Sequence, residues 1–280
     1  MIFTNMTIAI TGSQSGMGLA IRKRLEESGC RIIGVDLPGK GAEVEADLSH
    51  VDGRRQAVTE VLKMCGHRLD GAVANAGVDT SDNGLMFEIN FRGVVEWLEG
   101  LRPALVANSQ SRVLITASNS VLITPGLSGA AAEALATGNT PEALRLISSS
   151  PTGYPVSKLA VLRWMRARAA DWAKNGISLN AIAPGAVLTP LLEKDLADSI
   201  KGPLINALPR PIGVFPKPED IAGLAAFLLS KDARFIIGQV ITIDGGTEVN
   251  WRESDWPAVW HITPSEFMAK INLPKQSNTK

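Results

Sequence analysis

The chain has 280 residues, of which 45% are hydrophobic and 20% are charged, and its 28 basic residues balance its 28 acidic residues. This length and composition are typical of a globular protein with one large or two small domains, and the zero net charge gives no indication of a nucleic-acid partner. No apolar run approaches the roughly 20 residues of a membrane span, and the first residues lack the pattern of a signal peptide. Cys30 and Cys65 form neither a metal-ligand nor a disulfide pattern. We therefore expect no metal, no membrane partner and a location in the reducing cytoplasm.

The chain begins with the pattern strand, glycine-rich turn, helix and strand. These elements are a strand at residues 6–11, a turn from Gly12 to Gly18, a helix at residues 19–28 and a strand at residues 31–36. Glycines between a strand and a helix let the backbone approach a pyrophosphate at the helix N-terminus, and Asp36 can bond both ribose hydroxyls of an adenosine. That carboxylate would repel a 2′-phosphate, and no Arg follows it closely, so the pattern favours NAD over NADP. The other interpretation is a flexible glycine loop and a strand-end Asp that caps a turn.

Strands and helices continue to alternate along the rest of the chain. Further strands are predicted at residues 42–46, 71–74, 112–117, 177–182 and 239–243, and further helices at residues 51–65, 87–107, 154–174 and 218–229. Pro103 is expected to bend or end the helix that contains it. Such alternation predicts a doubly wound parallel sheet with helices on both faces. We therefore expect one α/β domain over residues 1–247, followed by an extension at residues 248–280.

Tyr154 and Lys158 lie four residues apart at the start of a predicted helix, so they share one of its faces. A neighbouring ammonium favours the phenolate and lowers the pKa of a tyrosine from its usual value of about 10. The pair could therefore act as a general acid or base near neutral pH. This spacing also arises by chance, as a surface Lys beside a half-buried Tyr, but Tyr154 is the only tyrosine of the chain.

Over residues 6–247 the chain resembles the classical short-chain dehydrogenase/reductase family. The motifs that carry the resemblance occur in the family's order: Thr11-Gly12-x-x-x-Gly16-x-Gly18, Asp47-Leu48, Asn75-Ala76-Gly77, Asn90, Ser118, Tyr154-x-x-x-Lys158, Pro184-Gly185 through Thr189, and Asp244-Gly245-Gly246. Each motif alone is weak, whereas their joint order and spacing are specific. The long segment between Ser118 and Tyr154, with the run from Leu188 to Leu192, is similar to the bacterial 3α-hydroxysteroid dehydrogenase/carbonyl reductase group. The resemblance implies a Rossmann-type fold in a homo-oligomer, a dimer or tetramer.

The resemblance also implies four catalytic residues. Tyr154 would exchange a proton with the alcohol or ketone, and Lys158 would lower its pKa and hold the nicotinamide ribose. Ser118 would hydrogen-bond the substrate oxygen, and Asn90 would hold a water that connects Lys158 to solvent. In the simpler interpretations, Ser118 caps a turn, with Ser120 close enough to take its role, and Asn90 bonds its own backbone.

NAD is the cofactor that the resemblance implies. Its predicted contacts are Gly12, Ser15, Gly16, Met17 and Gly18 at the diphosphate, Asp36 at the ribose, Asp47 and Leu48 at the adenine, Asn75, Ala76 and Gly77 along the cleft, Pro184, Gly185, Val187 and Thr189 near the carboxamide and phosphates, and Tyr154 and Lys158. The simpler interpretation of Asn75 is a turn residue.

Residues 119–153 form an insertion that is longer than in most of the family. Within it, residues 130–136 and 141–147 are predicted to be short helices. Because the insertion begins directly after Ser118, we expect it beside or over the substrate site. It could also block the pairing of long helices by which many relatives dimerise. The alternative is a surface elaboration that does not contact substrate.

Residues 186–216 are rich in Pro, Leu and Ile and correspond to the family's loop that closes over substrate. Since both segments are nearly free of charge close to the active site, we expect a small hydrophobic substrate, a steroid- or terpenoid-like cyclic secondary alcohol or its ketone. The alternatives are a smaller aromatic or alicyclic alcohol or dihydrodiol, and a non-catalytic NAD-binding sensor. The extension carries Trp251, Trp256 and Trp260, which could pack on the body, cover the cleft or bind a second subunit.

Overall fold

The described part of the chain contains one parallel sheet of seven strands, in the order β3-β2-β1-β4-β5-β6-β7. The computed structural model describes residues 5–150 and 152–252, together with residues 254, 261, 263, 265 and 266. The strands are β1 (Thr7–Thr11), β2 (Arg31–Asp36), β3 (Val44–Glu45), β4 (Gly71–Ala74), β5 (Ser111–Thr116), β6 (Ile177–Pro184) and β7 (Val240–Ile243). The predicted strands are confirmed, with shifts of one or two residues at their ends.

Helices cover both faces of this sheet, as predicted. They are α1 (Gly16–Glu27), α2 (Val51–Met64), α3 (Asn83–Phe87), α4 (Gly93–Val106), α5 (Ser120–Ile123), α6 (Gly129–Ala136), α7 (Thr140–Leu146), α8 (Gly153–Lys174), α9 (Pro190–Ala197), α10 (Lys201–Ala207), α11 (Pro218–Leu229) and α12 (Thr247–Trp251). One hydrophobic core lies between the sheet and α2, α4 and α8, with Trp97 and Trp172 fully buried in it. A second core lies between the opposite face and α1 and α11, around Ile21 and Ile221. No helix of the described residues is long and apolar enough to cross a membrane.

The strand order reverses its direction between β1 and β4. The chain runs outward from β1 to β2 and β3, and then returns to β4 on the other side of β1, where Ile8 pairs with Gly71. In open parallel sheets the helix connections diverge at such a point, and ligands bind outside the carboxyl ends of the strands there. The topology therefore directs attention to the segments that follow β1, β4 and β5.

The predicted single helix at residues 87–107 is divided into three parts. A π-helical turn, Glu88–Arg92, separates α3 from α4. Pro103 lies inside α4, which continues to Val106, so this proline does not end the helix at its own position. The other predicted effect, a bend, stays a prediction. A π-helical turn often marks a functional position, and this one contains Asn90.

The insertion forms the two predicted short helices, α6 and α7, and an additional short helix, α5, directly after the loop that carries Ser118. Ala131, Ala132 and Leu135 of α6 are fully buried in the core on the α8 side of the sheet. Arg163 of α8 also donates a hydrogen bond to the first carbonyl of α6, at Gly129. The insertion therefore covers an outward face of α8. This cover supports the prediction that helix pairing between subunits is blocked, and the oligomeric state remains a prediction.

The extension begins against the insertion. Arg252 donates a hydrogen bond of 3.1 Å to the carbonyl of Leu122 in α5, and Trp251 at the end of α12 is exposed. Trp256 and Trp260 lie outside the described residues. The described start of the extension is thus close to the segment that follows Ser118.

Candidate active site

The glycine-rich turn after β1 is a compact backbone cradle. Gly12 donates to the carbonyl of Val35 at 2.8 Å, and both Gly12 and Gly16 have positive φ angles, of 66° and 50°. A β-carbon on Gly18 would collide with the carbonyl oxygen of Gly12. Side chains at these positions are therefore excluded by backbone geometry. Because α1 begins at Gly16, its free N–H groups point at the same turn and can bind a phosphate group.

Asp36, at the end of β2, lies beside this turn. Its Oδ2 accepts a hydrogen bond from the backbone N–H of Gln14 at 2.9 Å, and its Oδ1 accepts one from Leu37 at 2.8 Å. The carboxylate thus caps the turn, as the simpler interpretation has it. Each oxygen keeps a second lone pair, so both ribose hydroxyls can still be bound.

Asp47 and Leu48 lie after β3 at the same edge of the sheet. Asp47 Oδ1 accepts from the backbone N–H of Ser49 at 2.9 Å. Interactions with the side chain and the backbone N–H of Ser49 lower the pKa of Asp47. Leu48 is buried, and its carbonyl accepts from Arg54 Nη1 at 2.9 Å. The contact of this pair with adenine stays a prediction.

Asn75 connects the ends of three strands. Its Nδ2 donates to the carbonyl of Gly12 at 3.3 Å, and its Oδ1 accepts from Thr116 Oγ1 at 3.2 Å. Thr11 Oγ1 accepts from the backbone N–H groups of Asn75 and Ala76 at 3.0 and 3.1 Å. The side chain of Asn75 therefore ties β4 to the glycine turn and to β5, which exceeds the role of a turn residue. Thr11 and Thr116 were not predicted as site residues, although both end a strand and Thr11 belongs to the glycine motif.

Tyr154 and Lys158 lie one above the other in the first turns of α8, as predicted. Lys158 Nζ is 5.7 Å from the centroid of the Tyr154 ring, and it donates to the carbonyl of Thr116 at 3.1 Å. The Ser118 side chain lies close enough to the Tyr154 hydroxyl to lower its pKa. Because α8 begins at Gly153, Pro155 falls in the first turn, where proline needs no intrahelical donor. The predicted phenol, ammonium and serine are therefore neighbours.

Burial dominates the ionisation of this pair. It raises the pKa of Tyr154 to about 12, against the lowering effect of the interaction with Ser118, and the charges of Asp79 and Asp195 raise it further. Burial also lowers the pKa of Lys158 to about 8. A net lowering of the Tyr154 pKa is therefore absent from this structure, because lost hydration has the largest effect. The lowering contribution of Lys158 stays a prediction. At neutral pH the phenol is protonated, which is the form that gives a proton to a carbonyl oxygen.

Asn90 is fully buried in the π-helical turn. Its Nδ2 donates to the carbonyl of Val78 at 2.9 Å and to Ser157 Oγ at 3.1 Å, and its Oδ1 accepts from the N–H of Val78 at 2.8 Å. A β-carbon on Gly77 would lie 3.1 Å from Lys158 Nζ and 3.2 Å from Asn90 Oδ1. Asn90 therefore bonds distant segments rather than its own backbone and lies near Lys158. Its role in holding a water remains a prediction.

The loop after β5 is held by two residues that were not predicted as site residues. Asn119 donates from its N–H to the carbonyl of Pro184 at 2.8 Å, and from Nδ2 to Asp244 Oδ2 at 3.1 Å. Asp244 also accepts from the backbone N–H groups of Gly246 and Glu248 at 3.0 and 2.9 Å. These bonds tie the segment beside Ser118 to the end of β7. The motif Asp244-Gly245-Gly246 was the only sign of this link in the sequence.

Ser118 rather than Ser120 has the predicted position. The Ser118 hydroxyl lowers the pKa of Tyr154, and its Oγ accepts from the backbone N–H of Ser120 at 3.1 Å, so Ser118 also caps a turn. Ser120 Oγ is buried and makes no hydrogen bond with the described residues. The two predicted roles of Ser118 are therefore compatible.

The segment after β6 returns to the glycine turn. Gly185 donates to the carbonyl of Ile243 at 3.1 Å, and Val187 is buried. Thr189 caps α9 by accepting from Leu192 at 3.3 Å, and a β-carbon on Gly16 would lie 3.2 Å from the Thr189 methyl group. The predicted cofactor residues from distant motifs thus meet at one edge of the sheet.

A cavity of about 590 Å³ lies beside Tyr154. Its lining residues are Asp79, Thr80, Ser81, Asn83, Met86, Tyr154, Lys194, Asp195, Ala197, Asp198 and Lys201. The prediction that the covers are nearly free of charge close to the active site is therefore wrong. The helical phase explains the difference, because α10 and the residue before it direct Leu204 and Ile200 to solvent, where they are 66% and 74% exposed. The lining residues come from segments other than the insertion, which borders the site through α5.

Comparisons with known proteins agree with this geometry. A family model described as Enoyl-(Acyl carrier protein) reductase matches residues 11–248. The 3-alpha-hydroxysteroid dehydrogenase/carbonyl reductase of Comamonas testosteroni is 35% identical over 89% of this chain and 99% of that protein. The 2,5-dichloro-2,5-cyclohexadiene-1,4-diol dehydrogenase of Sphingobium indicum is 31% identical over 86% of this chain and 96% of that protein.

The fold comparison gives the same result. The crystal structure of the 3-alpha-hydroxysteroid dehydrogenase from Pseudomonas sp. B-0831, complexed with NADH, has a TM-score of 0.83 and 38% identity, and the match covers 89% of this chain and 99% of that chain. The chain belongs to the short-chain dehydrogenase/reductase family of oxidoreductases.

Proposed function

We propose that this protein is an NAD-dependent dehydrogenase that interconverts a cyclic secondary alcohol and its ketone. The observation that carries the proposal is the Tyr154 phenol, which interacts with Ser118 and lies next to Lys158, at the sheet edge that holds the glycine turn. A non-catalytic sensor would need the cofactor cradle but not this proton-exchanging group. The intact arrangement therefore supports an enzyme.

The residues present fit a dinucleotide. The turn from Gly12 to Gly18 has no room for side chains, and α1 begins beside it, so a diphosphate can approach the backbone. Asp36 keeps free lone pairs for ribose hydroxyls and would repel a 2′-phosphate, which supports NAD over NADP. NADH in the related structure from Pseudomonas supports the same cofactor. When bound, the nicotinamide accepts or donates the hydride.

The chain's own residues handle the proton. In alcohol oxidation, Ser118 hydrogen-bonds the substrate oxygen while Tyr154 takes the hydroxyl proton as the carbon loses its hydride. Tyr154 must be a phenolate before it takes this proton and becomes the phenol. Lys158 stabilises that phenolate through its charge, and the Thr116 carbonyl holds Lys158 in place. In ketone reduction the protonated phenol returns the proton to the oxygen. Ser157 Oγ donates to the carbonyl of Tyr154, and Asn90 Nδ2 donates to the carbonyl of Val78, so both side chains support the catalytic group. We propose that protons reach solvent through Lys158.

The first choice of substrate is a steroid- or terpenoid-like ring system. The cavity of about 590 Å³ falls within the usual range of small-molecule sites, and the two relatives of highest identity reported above are named for hydroxysteroids. The charged wall favours a second candidate, a smaller alicyclic alcohol or diol, because extra hydroxyls can bond to carboxylates there. The Sphingobium relative, named for a cyclohexadiene diol, supports this candidate.

The test is NADH formation from NAD across secondary alcohols that range from small alicyclic alcohols and diols to hydroxysteroids. Tyr154→Phe is the control, because it removes only the hydroxyl. We expect Tyr154→Phe to lose at least about 1,000-fold in kcat, as general acid–base catalysis and hydroxyl positioning combine, while NADH binding by fluorescence is unchanged. A sensor would bind NADH and show no turnover with any alcohol in either form.

The size of the accepted alcohols separates the two substrate candidates. Turnover of hydroxysteroids with kcat/KM well above that of cyclohexanol and cyclohexanediol supports the ring-system proposal. The reverse order supports the smaller alcohol or diol and leaves the mechanism unchanged.

A further inference from the structure

The ammonium group of Lys201 joins α9 and α10, which we call the substrate segment, to the body of the protein. Lys201 Nζ at the start of α10 lies 2.7 Å from Asp79 Oδ2 and 3.2 Å from Asp195 Oδ1. Asp79 belongs to the loop after β4 and is 122 positions from Lys201 in the sequence, whereas Asp195 lies on α9. We call these three side chains the Lys201 clasp. Through it the α9–α10 segment is joined to the loop after β4.

Contacts of the residues before and after Lys201 determine the position of its backbone. Asp198 Oδ1 accepts from the backbone N–H groups of Ile200 and Lys201, each at 2.8 Å, and this sets the start of α10. A β-carbon on Gly202 would collide with the carbonyl oxygen of Leu196, so α10 packs directly against α9. The backbone of Lys201 is thus held in a position from which its side chain reaches both carboxylates.

The Lys201 clasp lines the same cavity as the Tyr154 phenol. The carboxylates of Asp79 and Asp195 raise the pKa of Tyr154, after burial, which has the largest effect. Burial alone would lower the pKa of Lys201, but both carboxylates outweigh it and raise that pKa. The charged groups that share the cavity or helix face of Tyr154 are Lys158 on α8, Asp79 after β4, Lys194 and Asp195 on α9, Asp198 after it, and Lys201 on α10.

We propose that Lys201 is a positioning residue for the reaction: it clasps the substrate segment over the cavity of Tyr154 and neutralises the two carboxylates that face the phenol. This inference rests on the proposed function for its kinetic part, because only alcohol oxidation requires the phenolate. Its structural part, the link of α9 and α10 to the loop after β4, does not depend on the proposed function. Asp79 and Asp195 then have a double role, as anchors of the segment and as charges that require Lys201.

The kinetic test compares Lys201→Met with Lys194→Met. Lys194 lines the same cavity but makes no ion pair with the described residues. In Lys201→Met we expect the rise of kcat/KM for alcohol oxidation to move to a pH about half a unit higher than in the wild type. The reason is that unscreened carboxylates disfavour the phenolate. KM for the alcohol should also rise, by about threefold to tenfold, as the segment loosens. Lys201→Arg should restore both, since it keeps the cation.

The double variant Asp79→Asn with Lys201→Met tests whether the shift of the pH profile comes from the unscreened charge of Asp79. Removing one unscreened carboxylate should bring the pH profile back towards that of the wild type, although the clasp stays broken and KM stays raised. A merely structural role of Lys201 would give the same KM change without this reversal, which would overturn the electrostatic part of the proposal.

Hydrogen exchange of residues 195–207 tests the clasp without any substrate. We expect faster amide exchange in Lys201→Met than in the wild type, with Lys194→Met and Lys201→Arg unchanged. If no form of the protein oxidises any alcohol, the proposed function fails while exchange still decides the clasp. Exchange rates and a pH profile of Lys201→Met equal to those of the wild type would overturn the inference.

Discussion

Two regions of this molecule are built by different means. We call the surroundings of the turn from Gly12 to Gly18 the cofactor edge, and α9, α10 and the loop after β4 the substrate edge. At the cofactor edge, backbone atoms approach each other so closely that a β-carbon on Gly18 would collide with the carbonyl of Gly12. At the substrate edge, α9 and α10 are joined to the loop after β4 by side-chain ion pairs of Lys201. Backbone geometry tolerates almost no substitution, whereas side-chain pairs can be exchanged one at a time. The contrast predicts that the cofactor edge is uniform among relatives and the substrate edge adjustable.

The largest expected effect tests the cofactor edge. Gly18→Ala adds one carbon in contact with Gly12 and Asn75, so the turn must open to accept it. We expect NADH affinity to fall by at least about 100-fold, because the backbone N–H groups no longer converge on the diphosphate. Fluorescence titration with NADH measures this change, and the thermal midpoint should fall as well.

Gly223→Ala in α11 is the matched control. A β-carbon there would meet no atom within 4 Å, and alanine in a helix interior stabilises by about 1 kcal/mol relative to glycine. The control should keep its NADH affinity and gain slightly in stability. Equal NADH affinity in Gly18→Ala and Gly223→Ala would contradict the idea that backbone contact defines the cofactor edge.

A smaller effect is expected at the ribose. Asp36→Ala removes the carboxylate that caps the turn at Gln14 and Leu37 and that would repel a 2′-phosphate. We expect NADH affinity to fall and the preference for NADH over NADPH to shrink by roughly 10- to 100-fold, equal to the loss of one charge-assisted contact and one repulsion. Parallel titrations with NADH and NADPH measure the ratio.

Asp36→Asn separates the two contributions, since an amide can keep part of the cap without the charge. Its preference should lie between those of the wild type and Asp36→Ala. An unchanged ratio in both variants would show that another group sets the cofactor preference.

Most of the cofactor edge could be predicted from the sequence because its signals are local. Strands, glycines and the residues after each strand occur in order, and a parallel sheet gathers its strand ends at one edge. The division of the predicted 87–107 helix escaped prediction for a physical reason. Asn90 bonds Val78 and Ser157, which are 12 and 67 positions away, and such tertiary bonds are invisible in helical spacing.

The substrate edge was predicted less well because its chemistry depends on burial and distance. The residues of 186–216 suggested an apolar cover, but helix phase turns Ile200 outwards and Lys201 into the cavity. The link from Lys201 to Asp79 spans 122 positions, so no local pattern reports it. The sign of the Tyr154 pKa shift failed for the same reason, since the spacing to Lys158 is visible in the sequence and the loss of hydration is not.

Lys158 lies where the two edges meet, and its burial gives the smallest of these effects. Burial lowers the pKa of Lys158 to about 8, so between this value and its unfolded value of about 10.4 the unfolded chain binds more protons. The charge therefore destabilises the fold at pH 7, and this penalty fades as the pH rises through that window.

We expect Lys158→Met to be more stable than the wild type by about 2 kcal/mol at pH 7, after the loss of the bond to Thr116, with a smaller difference at pH 9.5. Urea denaturation at both pH values measures the difference, and Lys174→Met, at the exposed end of the same helix, is the control. A Lys158→Met difference that does not change with pH would mean that Lys158 keeps its proton in the folded protein.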